Sequence, residues 1–437
     1  MLKRSFIGSL LHSPLSIAVT ASIGCLSAQA AAPETIELSL EDLLKVEVTT
    51  ASRKSQQVND IAAAVFVITR DDIQRSGATT IPEVLRLAPG VNVARMAANR
   101  YAVSVRGFNG RFANKLLVLM DGRSIYSPLF SGVLWEFEDT MLENVERIEV
   151  IRGPGGALWG ANAVNAVINI ITRKSRDTTG TTVIAGSGTA EHAFGAISHG
   201  GALTDGNFRV WAQGNSQEPS VDKSGGNAND AARTSRAGFR TDWTLDGGNR
   251  LMVSGAAYDM TAGDRWFFPS VTSPIGVRSA TITEKSHGGH LLARHEWALS
   301  GSSEAALQAY VSSSKLSVVD ISEERTTVDV DFQHRSAGKV HDLIWGLGYR
   351  YSPDRIISSG SFNLSPERAN FSIASAFIQN EWTLVPDQFR VVGGLRVEHN
   401  SFSGTAPLPS ARFIWTPSSD QSVWGAVSRA IRTESRG

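Results

Sequence analysis

The chain has 437 residues, and its 42 Lys+Arg balance its 42 Asp+Glu, so the formal net charge is zero. That balance argues against a nucleic-acid-binding protein, which usually carries an excess of basic residues. With 42% hydrophobic and 19% charged residues, the composition also excludes a disordered chain and a helical membrane protein. The 40 glycines and 10 tryptophans suit a β-rich protein with tight turns.

The first 30 residues have the features of an export signal. Lys3 and Arg4 supply the positive end, residues 15–26 a mostly apolar core, and residues 28–30 (Ala-Gln-Ala) a small-x-small cleavage site. The only cysteine, Cys25, lies inside this segment. We therefore expect a mature chain without disulfides or thiolate chemistry.

Residues 50–175 have the pattern of a mixed α/β domain. A short helix is predicted at residues 71–75 with Thr69 or Asp71 as its cap, and a second at residues 81–87 with Pro82 in its first turn. Strands are predicted at residues 65–68, 102–106, 116–120, 145–151 and 167–171. The Asp121-Gly122 pair predicts a hairpin turn into residues 123–126.

The most distinctive segment is residues 145–173, VERIEVIRGPGGALWGANAVNAVINIITR. Its pattern predicts two strands joined by a Gly-Pro loop, with the charged side chains turned outward. Together with residues 65–93 and 103–126, it closely resembles the plug domain of TonB-dependent outer-membrane receptors. The three motifs follow one another in the order and at the spacing of that family.

From residue 181 onward, charged and apolar residues alternate with a period of two, as in residues 328–333 (VDVDFQ). This alternation is typical of transmembrane β-strands, and we count about 13 candidates up to residue 430. Short turns, such as residues 246–249, alternate with polar loops at residues 217–234 and 263–279. No apolar run after residue 30 reaches the ~20 residues of a transmembrane helix, so a membrane-spanning chain must form a barrel.

The resemblance implies an antiparallel membrane β-barrel of about 22 strands around an N-terminal α/β plug. The expected division is a signal peptide at residues 1–30, an N-terminal extension at 31–52, the plug at 53–176 and barrel strands at 177–437. Bacterial single-chain barrels have an even number of strands. Because only about 13 are visible, and the last residues lack a terminal aromatic, we expect a partial barrel from a truncated or fragmentary product.

Residues 43–51, LLKVEVTTA, resemble the TonB box of the family in position and character. Their branched residues favour an extended backbone, which could add as an edge strand to the sheet of a partner. A second candidate is residues 34–38, and a plain linker or a first plug strand is the alternative. The residues assigned to the box are Leu44, Lys45, Val46, Glu47 and Val48.

Arginines in the plug motifs are candidates for pairing with the barrel. The resemblance implies that Arg106 and Arg152 face glutamates of the barrel wall, and Arg123 is a third candidate. Glu381 and Glu398 are the suggested wall partners. Alternatively, each arginine is a solvated charge in the lumen and contributes little to stability.

Two plug loops, at residues 109–114 and 129–135, are expected to face the ligand. The residues assigned to this apex are Asn109, Arg111, Phe112, Asn114, Phe130 and Trp135. His287 and His290 have a chelating spacing, but positions three apart in a strand point to opposite faces, so no metal site is predicted. No cofactor and no nucleophile–base pair is indicated, so we do not expect an enzyme.

The resemblance implies an active transporter in the outer membrane of a Gram-negative bacterium, in contact with membrane lipid. Its ligand would be a ferric siderophore by default, with haem and cobalamin as alternatives. Its partners would be TonB together with ExbB and ExbD. A signalling receptor would carry an extra domain before the TonB box, and a passive pore would have no plug; the sequence shows neither pattern.

Overall fold

The computed structural model describes residues 47–54, 56–57, 60–270, 276–358, 364–418 and 421–436. The expected export signal, the second TonB-box candidate, and Leu44, Lys45 and Val46 lie outside the described residues. No helix within these ranges is long and apolar enough to cross a membrane.

The N-terminal domain, here called the plug, consists of short strands and three short helices. Its strands are β1 (Glu47–Val48), β2 (Gln56–Gln57), β3 (Ala64–Thr69), β4 (Val91–Arg95), β5 (Tyr101–Val105), β6 (Leu116–Met120), β7 (Arg123–Ser124), β8 (Tyr126–Ser127), β9 (Gly132–Val133), β10 (Val145–Arg152) and β11 (Ala166–Thr172). Its helices are α1 (Arg70–Arg75), α2 (Ile81–Val84) and α3 (Gly156–Trp159), with 3-10 turns at Leu85–Leu87, Leu142–Asn144 and Ser175–Thr178.

Five plug strands form one sheet in the order β3-β10-β11-β6-β7. Strand β10 pairs antiparallel with β3 and β11, and β11 pairs parallel with β6. The apolar residues of the central strands, such as Ile148 and Ile168, are fully buried. The predicted strands and the first helix are confirmed, and Thr69 caps that helix in a reciprocal capping box with Asp72.

One sequence expectation about the central strand is wrong. The charges of residues 146–152 do not all point outward, because Glu149 is completely buried. A carboxylate can be buried in this way only when hydrogen-bond donors surround it. Thr49, Thr50 and Arg147 supply those donors.

The remaining strands form a second, much larger sheet. They are β12 (Gly180–Gly186), β13 (Glu191–Leu203), β14 (Gly206–Gln217), β15 (Ala232–Thr244), β16 (Arg250–Ser270), β17 (Gly276–Ser300), β18 (Ser303–Val318), β19 (Ile321–Ala337), β20 (His341–Ser358), β21 (Arg368–Val385), β22 (Phe389–Asn400), β23 (Gly404–Ser418) and β24 (Gln421–Ser428). These 13 strands pair in sequence order, each antiparallel to its neighbour.

This large sheet is not closed, since β12 and β24 each pair with only one neighbour among the described strands. Its outer face is apolar, as alternation predicts, and carries side chains such as Val330, Leu347 and Val397, each at least 40% exposed. Its inner face carries the charged and hydroxyl groups that meet the plug. The fold is therefore a partial β-barrel with an α/β plug, which confirms the predicted fold class.

The strand connections differ at the two ends of the sheet. Two residues link β13 to β14 and β17 to β18, whereas residues 218–231 connect β14 to β15. The predicted polar loop at residues 263–279 is wrong for most of its length. There β16 and β17 continue to pair as far as Ser270 and Gly276, because a hairpin satisfies its backbone groups without needing an apolar face.

Candidate functional site

The plug is held against the inner face of the barrel sheet by an apolar contact in the half nearer the long loops. Leu129, Leu134 and Phe137 of the plug are buried against wall residues that include Met260. The Phe137 ring also stacks on Tyr258 of β16, with ring centroids 5.8 Å apart. This contact fixes the segment of the plug that carries β8 and β9.

A second contact anchors the N-terminal end of the plug through two adjacent cations. Arg53 Nη1 lies 2.8 Å from Asp331 Oδ1, and the guanidinium is 4.5 Å from the Trp159 ring centroid and 4.6 Å from that of Phe377. Stacking of this kind is a property of the planar guanidinium rather than of positive charge alone.

The neighbouring residue, Lys54, makes a forked ion pair with the wall. Its Nζ lies 2.8 Å from Asp342 Oδ2 on β20 and 2.9 Å from Glu381 Oε2 on β21. The Lys54 side chain is only 4% exposed. A lysine this deeply buried is held in place by its partners. The two carboxylates accept hydrogen bonds from the Lys54 ammonium, and loss of either one would leave a further N–H without an acceptor.

A third contact ties a plug hairpin to the end of the sheet that carries the long loops. The hairpin is formed by β4 and β5, and the Arg100 side chain at its tip pairs with Asp264 at 2.6 Å and with Glu284. The backbone N–H of Ala98 donates to Asp230 Oδ2 at 2.9 Å. Burial lowers the pKa of Arg100, but the two carboxylates outweigh burial and raise it above its ordinary value.

The C-terminal end of the plug is tied to the first barrel strands. Arg240 Nη1 donates to Thr172 Oγ1 at 2.9 Å, and Ser175 Oγ donates to Asp242 Oδ2 at 2.6 Å. Arg209 donates to the carbonyl oxygen of Arg173 at 2.8 Å. Both termini of the plug are therefore fixed to the wall by buried polar contacts.

Comparison with known proteins places both domains in one family. Residues 57–167 match the TonB-dependent Receptor Plug Domain, and residues 187–436 match the TonB dependent receptor-like, beta-barrel domain. The chain belongs to the TonB-dependent receptor family.

Relatives of this chain include vitamin B12 transporters. The vitamin B12 transporter BtuB of Vibrio vulnificus is 37% identical over 143 residues, which is 32% of this chain and 23% of that protein. The same transporter from Vibrio cholerae is 35% identical over 156 residues, or 36% of this chain and 25% of that protein. These matches span about a quarter of the length of the curated relatives.

Solved structures of similar fold include siderophore receptors. PirA of Pseudomonas aeruginosa has a TM-score of 0.65 at 19% identity, covering 86% of this chain and 63% of that one. The ferric enterobactin receptor PfeA of Pseudomonas aeruginosa has a TM-score of 0.66 at 17% identity, covering 85% and 63%. At these identities the likeness establishes the fold of the receptor and not its ligand.

The described end of the TonB-box candidate is part of the plug. Glu47 pairs with Gln57 and Val48 with Gln56 in a two-stranded sheet, and the Val48 side chain is fully buried beside Ile151. In this conformation Val48 cannot add to the sheet of a partner without first leaving the plug. The role of residues 44–48 in TonB binding stays a prediction.

The three plug arginines predicted to pair with the wall behave differently. Arg123 does not pair with a wall glutamate among the described residues, because its guanidinium pairs with Glu138 of the plug itself at 2.8 Å. Arg152 donates to the carbonyl oxygen of Pro89 at 3.3 Å, and Arg106 is exposed. Within the described residues neither of the latter two pairs with a wall carboxylate, so their predicted role stays a prediction.

The two wall glutamates suggested from the sequence do contact the plug, but through other groups. Glu381 pairs with Lys54, and Glu398 accepts the backbone N–H of Ala161 at 3.3 Å. Sequence reasoning missed Lys54 because nothing in a single sequence distinguishes a buried lysine from a solvated one. Its position directly after Arg53, at the entry to the plug, is the only signal.

Several of the side chains predicted to face the ligand contact one another, and their role in ligand binding stays a prediction. Arg111 pairs with Glu136 at 2.9 Å, and the Phe112 and Phe130 rings stack with centroids 4.7 Å apart. Asn109 is exposed and Asn114 is half-buried in the same loop. These residues lie on two loops that the fold brings together.

The prediction that Trp135 faces the ligand is wrong. Its side chain is 4% exposed and belongs to the apolar core of the plug. A residue missing from the prediction is Phe108, which is 81% exposed and lies under the Lys115 ammonium, 4.1 Å from the ring centroid. The sequence GFNGRFANK shows aromatic residues close to cations, so a contact between the two could have been suspected. The exposure of Phe108 could not be predicted from it.

Proposed function

We propose that this receptor acts in the outer membrane of a Gram-negative bacterium and takes up a scarce ligand that is too large for passive pores. The apolar outer face of its sheet suits contact with outer-membrane lipid. The ligand class that the apex supports best is an anionic, aromatic ferric siderophore, such as a ferric catecholate. The family membership supports uptake, and the apex chemistry supports the ligand class.

The apex cluster is the observation that carries the ligand class. It contains two cation–ring contacts, Arg111 over Phe112 and Lys115 over Phe108, and the Phe130 ring stacks on that of Phe112. Aromatic faces stack on planar rings, and guanidinium and ammonium groups attract anions. An anionic complex with aromatic rings satisfies both preferences at once.

Energy would come from TonB, working with ExbB and ExbD, through the segment at residues 44–48. This proposal is supported by the resemblance of that segment to the TonB box. The start of the plug supports it too, because Arg53 and Lys54 are ion-paired to the wall only a few residues after the segment. Force applied to the segment would therefore act directly on these ion pairs between plug and wall.

Cobalamin is the second candidate ligand, because the curated relatives at 35–37% identity are vitamin B12 transporters. Haem is a third class, and no contact among the described residues favours it. These ligands differ in charge: a ferric catecholate is strongly anionic and cobalamin is not. The two cations of the apex should therefore discriminate between them.

Binding of radiolabelled ferric catecholate, haem and cobalamin to the full receptor tests the ligand class. We expect the ferric catecholate to bind, and the double substitution Arg111→Ala and Lys115→Ala to weaken that binding at least about tenfold, as loss of charge-assisted contacts implies. Arg75→Ala controls for loss of an exposed cation. Glu136→Gln, which breaks the Arg111–Glu136 ion pair but keeps both cations, controls for loss of that pair and should retain binding. Binding of cobalamin alone would reject the siderophore proposal.

A further inference from the structure

Strand β10 of the plug carries a buried carboxylate that faces the N-terminal segment. Glu149 on β10 is 0% exposed. It accepts the backbone N–H of Thr50 at 2.8 Å and that of Thr49 at 3.1 and 3.2 Å. The Thr49 hydroxyl and Arg147 Nε donate to it at 3.3 and 2.8 Å.

Two further side chains hold the same dipeptide. Asn169 lies opposite Glu149 in the β10–β11 pairing, and its Nδ2 donates to Thr50 Oγ1 at 2.9 Å. Trp159 Nε1 donates to the Thr50 carbonyl oxygen at 2.8 Å. Glu149, Asn169 and Trp159 thus form a three-sided grip on Thr49 and Thr50, which directly follow residues 44–48, the residues assigned to the TonB box.

When this grip opens, the loss of hydrogen bonds affects the threonines and Glu149 unequally. Thr49 and Thr50 exchange their plug partners for water and lose little. Glu149 loses three of its four donor groups and keeps only Arg147, because it lies at a strand position enclosed by the fold. A buried carboxylate that loses most of its donors is far more destabilising than a lost surface hydrogen bond.

We propose that Glu149 acts as a release sensor, which converts removal of Thr49 and Thr50 from the plug into destabilisation of β10 and β11. These strands form the centre of the five-stranded sheet, so weakening them weakens the whole plug. The grip is a property of the plug alone. Its use in transport, where a pull on residues 44–48 would open it, rests on the proposed function.

Hydrogen exchange in detergent tests the sensor without TonB or ligand. Two shortened chains are compared, one beginning at Thr49 and one at Ala51, both with an acetylated N-terminus, so that neither presents a charged amino group to Glu149 and they differ only in the two donor residues. We expect β10 and β11 amides to exchange at least about tenfold faster in the second chain than in the first, because only the second lacks the donors. Equal exchange in the two chains would overturn the proposal.

Substitution of Glu149 provides a second, complementary experiment. In Glu149→Gln the side chain is neutral, so the difference between the two shortened chains should fall below about threefold. Glu146→Gln on the same strand is the matched control, because Glu146 is 45% exposed, and it should keep the full difference. If Glu149→Gln does not fold, the two shortened wild-type chains decide alone. Failure of either arm would leave the uptake and binding experiments unaffected, so the two proposals can fail separately.

Discussion

At the scale of single residues, the contact between plug and wall depends on cations that have been removed from water. Lys54 is the extreme case, with a 4% exposed side chain shared between Asp342 and Glu381. Both carboxylates have a second cation nearby, since Arg335 pairs with Asp342 and Arg390 with Glu381. Lys54 is therefore the member of the network that joins the plug to the wall.

Lys54→Met should loosen the entry to the plug without disrupting the barrel. The methionine retains the apolar stem but removes all three donors, and the wall carboxylates keep their arginines, so we expect a loss of about 2 kcal/mol in local stability. Hydrogen exchange of residues 50–57 measures the effect directly. Arg75→Met, at an exposed pair, is the control and should change nothing; unaltered exchange in Lys54→Met would show that the pair contributes no stability.

At this scale, the sequence indicates which kinds of residue form ion pairs better than it indicates which partner each one takes. Arg123 lies in one of the plug motifs and is predicted to face the wall, yet it pairs with Glu138 of the plug, whereas Arg53, which lies outside those motifs, pairs with the wall. Burial decides such outcomes, and burial depends on chain segments far apart in sequence. For the same reason Trp135 was expected at the surface and is found in the core.

At the scale of elements, the β4–β5 hairpin connects the plug to the wall near the long loops. Arg100 at its tip is buried between Asp264 of β16 and Glu284 of β17, both in the part of those strands nearest their shared connection. Its removal would leave Glu284, which is 2% exposed, without its cation. The hairpin and the β16–β17 extension should therefore move together.

Arg100→Ala should release the hairpin tip and destabilise the plug by about 3–5 kcal/mol, the usual range when one partner of a buried pair is removed. Limited proteolysis with cleavage sites mapped to residues 95–100 reports the release. Arg86→Ala provides the control, because Arg86 pairs with Glu83 at the surface. Wild-type protease resistance in Arg100→Ala would mean that the backbone contact of Ala98 with Asp230 suffices.

Element positions in this chain follow mainly from local periodicity. The alternation of charged and apolar residues is enough to give 13 barrel strands, and capping and turn residues place the first helix and the Asp121-Gly122 turn. The β16–β17 extension was missed because residues 263–279 do not alternate: three consecutive aromatic residues (266–268) stand among Gly, Pro and polar residues, and that composition is also typical of a loop. A hairpin outside the membrane needs backbone pairing but no apolar stripe.

At the scale of the whole molecule, the open sheet has a direct physical consequence. Strands β12 and β24 each leave one row of backbone groups unpaired by the described strands, and every such group costs several kcal/mol in lipid. We expect the 437-residue chain, produced by itself, to lack the heat-modifiable electrophoretic migration of closed barrels. A heat-modifiable, protease-resistant band in outer membranes would show that the two edges close.

The central claim is that the segment before the plug couples this receptor to TonB, and direct binding tests it. The periplasmic domain of TonB is titrated against the full chain in detergent, with and without Val46→Pro, a substitution that removes a backbone donor and distorts an added strand. Ile36→Pro, in the other candidate segment, is the matched control. We predict that Val46→Pro abolishes binding and that Ile36→Pro does not; undiminished binding by Val46→Pro would contradict the assignment.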